Sequence, residues 1–248
     1  MTVRTLKLTI AYDGTAYAGW QVQRAGQQTI QGVLETSLHT ILRERVRVIG
    51  SGRTDAGVHA LAQVAHIRTR HPMPCQRLRW ALNGVLPNDI AVRTIEEAPA
   101  SFHARFDATR RRYRYQIVTD SVRLPFDRRY THHVPFGLNL AAIRRETKAL
   151  LGWHDVRAFC RAGESRGSSR RRITNASWRR LPGRLIFEIE ANGFVHTMVR
   201  SIVGTLLDVG RGHRSEGAIR QLLRNGNRRG VGPTAPARGL CLIKVLYR

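Results

Sequence analysis

Two periodicities alternate along this chain, and their order constrains the fold more than any other feature. Val3 to Tyr12 alternates apolar and polar residues and stops at Asp13-Gly14, which predicts a strand and a turn. Thr29, a capping hydroxyl, then precedes Ile30, Val33, Leu34, Leu38, Ile41 and Leu42, apolar residues at helical spacing. Arg45 to Ile49 and Ala62 to Thr69 alternate again as strands. Pro72 and Pro74 introduce a helix from about Cys75 to Leu86, closed by Pro87-Asn88-Asp89, and Ile90 to Glu97 returns as a strand. The order is β-α-β-β-α-β, the ferredoxin-like pattern.

The pattern then repeats. Thr109 to Thr119 predicts a long strand and Leu140 to Leu151 a helix. Arg171 to Leu181 and Leu185 to Ala191 predict strands joined at Pro182-Gly183. His196 to Val209 reads as an apolar helix and Gly239 to Tyr247 as the last strand, with a short helix near Ser215 to Arg224 inserted between them. The expectation is an α+β chain of two ferredoxin-like halves, residues 1–104 and 105–248, whose mostly antiparallel sheets meet at a central basic cleft.

"Basic" follows from the charge balance. Lys and Arg number 42 against 17 Asp and Glu, a net charge of +25, which points to a polyanionic partner. Lys7, Lys148 and Lys244 are the only lysines, so nearly all of the charge is guanidinium, whose planar fork suits phosphates and base faces. Codon bias would enrich Arg over Lys, but not cations over acids. Cys75, Cys160 and Cys241 are an odd number, lie far apart and form no C-x-x-C pair, so neither a disulfide framework nor a thiolate zinc site is suggested. With no apolar signal-peptide core and no run long enough to span a membrane, the expectation is a cytoplasmic, membrane-free protein.

Residues 50 to 67, GSGRTDAGVHALAQVAHI, place one carboxylate, Asp55, two positions after Arg53 and among Gly50, Gly52 and Gly57. Such a turn permits left-handed angles and close backbone approach, and its plain reading is an Asx turn with Arg53 as a solvated loop cation. Tyr12, Tyr17 and Trp20 upstream read as a loop with buried aromatics, including Asp13 as a turn residue. In TRRRYRYQIVT, Tyr113 and Tyr115 share one face of a strand, and Arg112 and Arg114 the other. Arg200 is a cation on a helix wrapped by Met198, Val199, Ile202, Val203, Leu206 and Leu207, so it either finds a partner or snorkels. Segments 161–172 and 224–229, rich in Gly, Ser and Arg, read as loops that are solvated or that order on RNA. His59, His66, His132 and His133 match no zinc spacing, and neither a P-loop nor a Rossmann fingerprint occurs, so neither metal nor cofactor is expected.

Four blocks resemble one family. GRTDAGVHA with Gln63 and His66, the YDGT-x-Y-x-GWQ-x-Q segment from Tyr12 to Gln23, Phe102-His103-Ala104-Arg105 with Arg112, Tyr113 and Tyr115, and HTMVRSIVG with APARGL resemble the motifs of TruA-type tRNA pseudouridine synthases. The resemblance implies that Asp55 is catalytic, that Tyr113 lies against the target uracil and that Arg200 pairs with the catalytic Asp; a stacked uridine must be turned out of the RNA to be reached, and Arg53, two residues before Asp55, is placed to fill the gap. The resemblance implies also that Leu240 packs beside the site. The substrate implied is the tRNA anticodon arm at positions 38 to 40, held by a homodimer, with no cofactor. A glycoside hydrolase would need a second paired carboxylate that the motif does not supply. An RRM-type binding module would carry an RNP1-like strand, which is absent from the sequence.

Overall fold

A computed structural model describes residues 2–23, 26–161 and 168–248. They build a mixed α and β chain with a mostly antiparallel sheet, gathered into two compact units, Met1–Thr109 with Leu242–Arg248, and Arg110–Cys241.

The first unit runs β1 (Arg4–Tyr12), α1 (Ile30–Leu42), β2 (Ile49–Gly50), β3 (His59–Thr69), α2 (Cys75–Val85) and β4 (Ile90–Ala98). β1 lies between β4 and β3 and is antiparallel to both; β2 pairs antiparallel with β3. Because strand side chains alternate, Leu6, Leu8 and Ile10 of β1 all fall on one face, and each is fully buried. Ile30, Leu34 and Leu38 of α1 and Leu78 and Leu82 of α2 recur at helical spacing and are as completely buried. Each such side chain is worth roughly 1.5–3 kcal/mol on burial, which makes this layer the main source of the unit's stability. Thr29 caps α1 as its chemistry predicts, accepting from Gly32 N at 3.3 Å.

The strand expected over Arg45 to Ile49 is reduced to Ile49–Gly50. Val46 and Val48 are buried as a strand pattern requires, but Val48 N donates to the Glu35 carboxylate at 2.9 Å and Val48 O accepts from Gln31 Nε2 at 3.1 Å. Side chains of α1 thus satisfy backbone groups that a neighbouring strand would otherwise have taken.

The second unit runs β5 (Arg110–Val118), β6 (His132–His133), α3 (Leu140–Lys148), β7 (Gly152–Asp155), β8 (Arg170–Leu181), β9 (Arg184–Ala191), α4 (Met198–Gly210) and α5 (Ala218–Asn225). Its strands lie in the order β5-β9-β8-β7 with antiparallel neighbours, and β6 is parallel to β5. β6 and β7 are too short to show a period in the sequence, and the helix expected to reach Leu151 stops at Lys148, before β7. α4 is buried almost all round. The inserted helix α5 is seated by Glu146 of α3, whose carboxylate accepts Gly217 N at 2.5 Å and Ile219 N at 2.9 Å, two donors that a helix start leaves open.

The last strand, β10 (Leu240–Leu246), lies beside β3. The division between units falls at Thr109 rather than after residue 104, and residues 242–248 group with the first unit rather than the second. Hydrogen bonds give the reason: Thr109 N donates to Leu246 O at 2.8 Å and the Tyr247 hydroxyl to Ala104 O at 2.8 Å, tying the segment after β4 to the chain's end. Among the described residues no helix is long and apolar enough to cross a membrane.

Candidate active site

Asp55 and Arg53 belong to the first unit; Tyr113, Arg200 and Leu240 belong to the second. Asp55 is half-buried, in a loop fixed on three sides. Thr54, just before it, is buried; its hydroxyl lies 2.8 Å from the Tyr12 hydroxyl, and its carbonyl accepts Trp20 N at 3.1 Å. After it, Val58 N donates to Asp55 O at 3.2 Å and Gly57 N to Tyr17 O at 3.2 Å. Gly19, at φ +95°, makes that approach possible: a Cβ there would stand 2.6 Å from Thr54 O and 3.1 Å from the Asp55 carbonyl carbon. The preceding segment is held by Gln63, fully buried on β3, which accepts from the Ser51 hydroxyl at 2.7 Å and donates to Gly52 O at 2.9 Å. The carboxylate therefore sits on a backbone with little freedom, the condition for a preorganised catalytic group.

Tyr12, Tyr17 and Trp20 are buried, as expected of a loop packed on aromatics, and Asp13 is a turn residue accepting from Thr15 N at 2.9 Å. Arg53 is exposed, with Nε donating to Gln21 Oε1 at 3.2 Å. Gln21 Nε2 in turn donates to Gln31 Oε1 at 2.6 Å, and Gln31 Nε2 to Glu35 at 2.9 Å. This amide chain from Arg53 to α1 was not read from the sequence, where Gln31 and Glu35 were merely polar positions on a helix.

In the second unit β5 presents its two faces as the alternation requires. Tyr113 and Tyr115 are buried and stand opposite Ile189 and Phe187 of β9. The Tyr113 ring meets Phe194 edge-on, centroids 5.0 Å apart, and the Tyr115 hydroxyl donates to Pro236 O at 2.8 Å. Burial pushes the Tyr115 phenol well above its ordinary range, although Arg200 and Arg238 pull the other way. Arg112 and Arg114 face Glu190 and Glu188 in register. Glu190 is almost wholly buried and accepts from Arg110 at 3.0 Å, Arg112 at 2.8 Å and Thr174 at 2.9 Å. Burial alone would raise the Glu190 carboxyl; the hydrogen bonds from Arg112 and Thr174, with the charges of Arg112 and Arg110, outweigh it and hold the group below the usual range.

Arg200 is half-buried rather than snorkelling freely: its Nε donates to Ala235 O at 2.8 Å, while Ala235 N donates to Arg200 O at 3.1 Å. One turn on, Gly204 lies under the same loop, where a Cβ would stand 1.7 Å from Pro233 O, and Gly232 N donates to the Thr205 hydroxyl at 3.0 Å. The HTMVRSIVG and APARGL segments are thus two halves of one contact. Leu240 is buried at the end of that loop.

The histidines of the motifs serve the backbone. His66 is buried and accepts Ala104 N on Nδ1 at 3.1 Å, which docks the Phe102 to Arg105 segment onto β3. Burial, then the charges of His103 and Arg68, lowers its imidazole to about 4, so it is neutral at pH 7. Gly14 N lies 3.0 Å from His59 Nδ1 and latches the first turn. Among the described residues no group of three or more His, Cys, Asp or Glu is placed to hold a metal ion. Residues 162–167 of the Arg-rich segment 161–172 lie outside the described residues.

A carboxylate fixed on a tight loop, a buried tyrosine strand and an arginine zipped to a proline-rich loop are carried by motifs that match a known family over most of the chain. The sequence profile described as tRNA pseudouridine synthase matches residues 8–107 and 147–248. The chain belongs to that family, isomerases that convert uridine to pseudouridine in tRNA. Within it, the chain is 40% identical over 245 residues to the tRNA pseudouridine synthase A of Thermoanaerobacter sp. (strain X514), covering 99% of this chain and 100% of the relative. The proteins of the same name from Moorella thermoacetica and Brevibacillus brevis are 44% identical over 243 residues and 41% over 245. Those two matches cover 98% and 99% of this chain, and 99% and 100% of the relatives.

Proposed function

We propose that Asp55 carries the isomerisation, acting on a uridine turned out of the tRNA anticodon arm at positions 38 to 40. The reaction breaks the bond from ring nitrogen to sugar, turns the base, joins carbon 5 to the sugar and removes the carbon 5 proton. It exchanges one carbon bond for another without net redox change or ATP, and so calls for no cofactor. A carboxylate serves it as nucleophile at the anomeric carbon or as base, and either role needs an ionised group held in place. The observation that carries the assignment is the half-buried Asp55 on a loop pinned by Trp20, Tyr17 and Gln63.

The other roles follow from the motifs. Tyr113 offers an aromatic face and a phenol to the uracil, and Arg53, exposed two residues from Asp55, occupies the space the flipped base vacates. Arg200 serves as counter-ion to the catalytic carboxylate, and Leu240 is an apolar neighbour of the site. Working as a cytoplasmic homodimer completes the reading. For the fold, we assign both units to the ferredoxin-like plan. The order β4-β1-β3 with β2 outside β3 puts the first and third strands in the middle, and β5-β9-β8 with α3 and α4 supports the same plan in the second unit.

Asp55→Asn tests the proposal. It keeps the side chain's size and its ability to accept from turn amides while removing the charge. Single-turnover release of the carbon 5 hydrogen from anticodon-arm uridines should fall by many powers of ten, with tRNA affinity near wild type because the basic surface is untouched. Activity within about tenfold of wild type in the folded variant would remove Asp55 from the chemistry. Joint loss of binding and activity would make it a structural turn residue.

A further inference from the structure

Trp153 is an aromatic side chain that neither the core nor the proposed site uses. It lies on β7, the edge strand of the second unit's sheet, and 53% of its surface is exposed. In register, Trp153 stands opposite Arg172 and Asp155 opposite Arg170 on β8, so these four side chains share one face of the sheet. The helix-packed face is the other one. Trp178 lies there, donating from Nε1 to Thr147 of α3 at 2.9 Å, and Ile173, buried next to Arg172 in sequence, turns the same way. Trp153 therefore looks out from the open face.

Among the described residues the charges around it are one-sided. The Arg170 guanidinium stands 5.5 Å from the centre of the Trp153 ring, and Arg170 and Arg172 are both exposed. Asp155, the carboxylate on this stretch, is already engaged by Arg157 and by the Ser169 hydroxyl, and these bonds hold it down to about 2. Its charge is answered by Arg157, which leaves Arg170 and Arg172 in excess beside a wide aromatic plane. A folded protein gains nothing from exposing an indole, and an arginine stacked on a half-free ring leaves the rest of that ring open. Single-stranded and flipped-out nucleotides are recognised by this combination, an aromatic or guanidinium plane for the base and a nearby cation for its phosphate.

We propose that Trp153, Arg170 and Arg172 form a second contact for the tRNA substrate, in which one unstacked base lies on the Trp153 ring and the arginines hold its phosphate. The inference rests on tRNA being the substrate and adds a surface carried by the second unit's edge strand. A base there adds affinity and orientation without touching the reacting atoms, so its loss acts on binding of whole tRNA and not on the chemical step.

The test uses the full-length protein and two substrates, a complete tRNA transcript and a minimal anticodon stem-loop. Trp153→Ala and Trp153→Phe are compared, with Trp80→Phe, which alters an exposed tryptophan of the first unit, as control. Trp153→Ala should weaken binding of whole tRNA roughly tenfold, Trp153→Phe should restore most of it, and Trp80→Phe should change nothing. In the Trp80→Phe background, tRNA should quench the tryptophan emission, and that quenching should disappear when Trp153 is also replaced. The single-turnover rate at saturating tRNA should stay at the wild-type value. Unchanged affinity and unchanged quenching in Trp153→Ala would overturn the inference while leaving the isomerase reading intact. Failure of the wild-type protein to isomerise either substrate would instead strike the reading on which the inference rests. A Trp153→Ala protein whose subunit association weakens while its tRNA affinity does not would give the face to a second protein chain and refute the RNA contact.

Discussion

The contact between α4 and the 232–236 loop can be tested by a substitution whose sign depends on it. Gly204 lies inside α4, where replacing Gly by Ala normally stabilises a helix by about 1 kcal/mol, because Ala loses less backbone entropy. Here a Cβ would stand 1.7 Å from Pro233 O and 2.9 Å from the Pro233 carbonyl carbon, backbone atoms that cannot rotate away. The loop has to lift. Overpacking costs about 1–3 kcal/mol. Lifting also strains three hydrogen bonds, Arg200 Nε to Ala235 O, Ala235 N to Arg200 O and Gly232 N to Thr205 Oγ1, each worth about 1 kcal/mol. Against the propensity gain, the net expectation for Gly204→Ala is a loss of about 3 kcal/mol, or roughly 6–12 °C in Tm for a chain of this size. The control is Gly84→Ala in α2, where a Cβ meets nothing within 4 Å; that variant should gain stability of about 0.5–1 kcal/mol. Urea denaturation followed by far-ultraviolet circular dichroism reads both. A Gly204→Ala protein as stable as wild type would show that the loop does not rest on α4, and the account of Arg200 as zipped to Ala235 would go with it.

Two further outcomes follow from charge. His66 is neutral when folded and titrates near 4, against about 6.5 unfolded, so its contribution is complete above about pH 6.5 and is lost as the pH falls towards 4. The loss reaches about 3 kcal/mol, and His66→Gln, whose amide oxygen can still accept Ala104 N, should flatten that part of a stability profile measured by urea midpoints; an unchanged slope would contradict it. Affinity for tRNA should fall linearly in log–log form with salt, by about 0.7–0.9 per phosphate contact, and a salt-independent affinity would separate the charge of +25 from RNA binding.

What the sequence discloses and what it conceals divide by distance along the chain. β1, β8, β9 and α1 carry their periods within themselves and were readable. So was the Asp55 turn, because glycines, a threonine and Gln63 announce a constrained loop within 14 residues of one another. Val46 to Val48 alternates like a strand, yet its backbone partners are side chains of α1, and no local pattern reports that. β6 and β7, of 2 and 4 residues, are too short for any period. Gly204 reads as a weak point in a helix until Pro233, 29 positions on, supplies the carbonyl that excludes a side chain. The same holds for charge. Arg110, Arg112 and Arg114 look like a row of free cations, but Glu188 and Glu190 answer them from β9, 74 to 80 residues away. Two buried or half-buried carboxylates set against three guanidiniums leave that strand poor in charge for phosphate, since a cation already paired releases little on meeting another anion. The excess that gives the chain +25 must then be carried elsewhere, on exposed arginines such as Arg172, which faces Trp153, and Arg170, whose facing Asp155 is already engaged by Arg157. On that reasoning the salt slope should drop by about 1 on replacing either of these two with Gln, and by less on replacing Arg112.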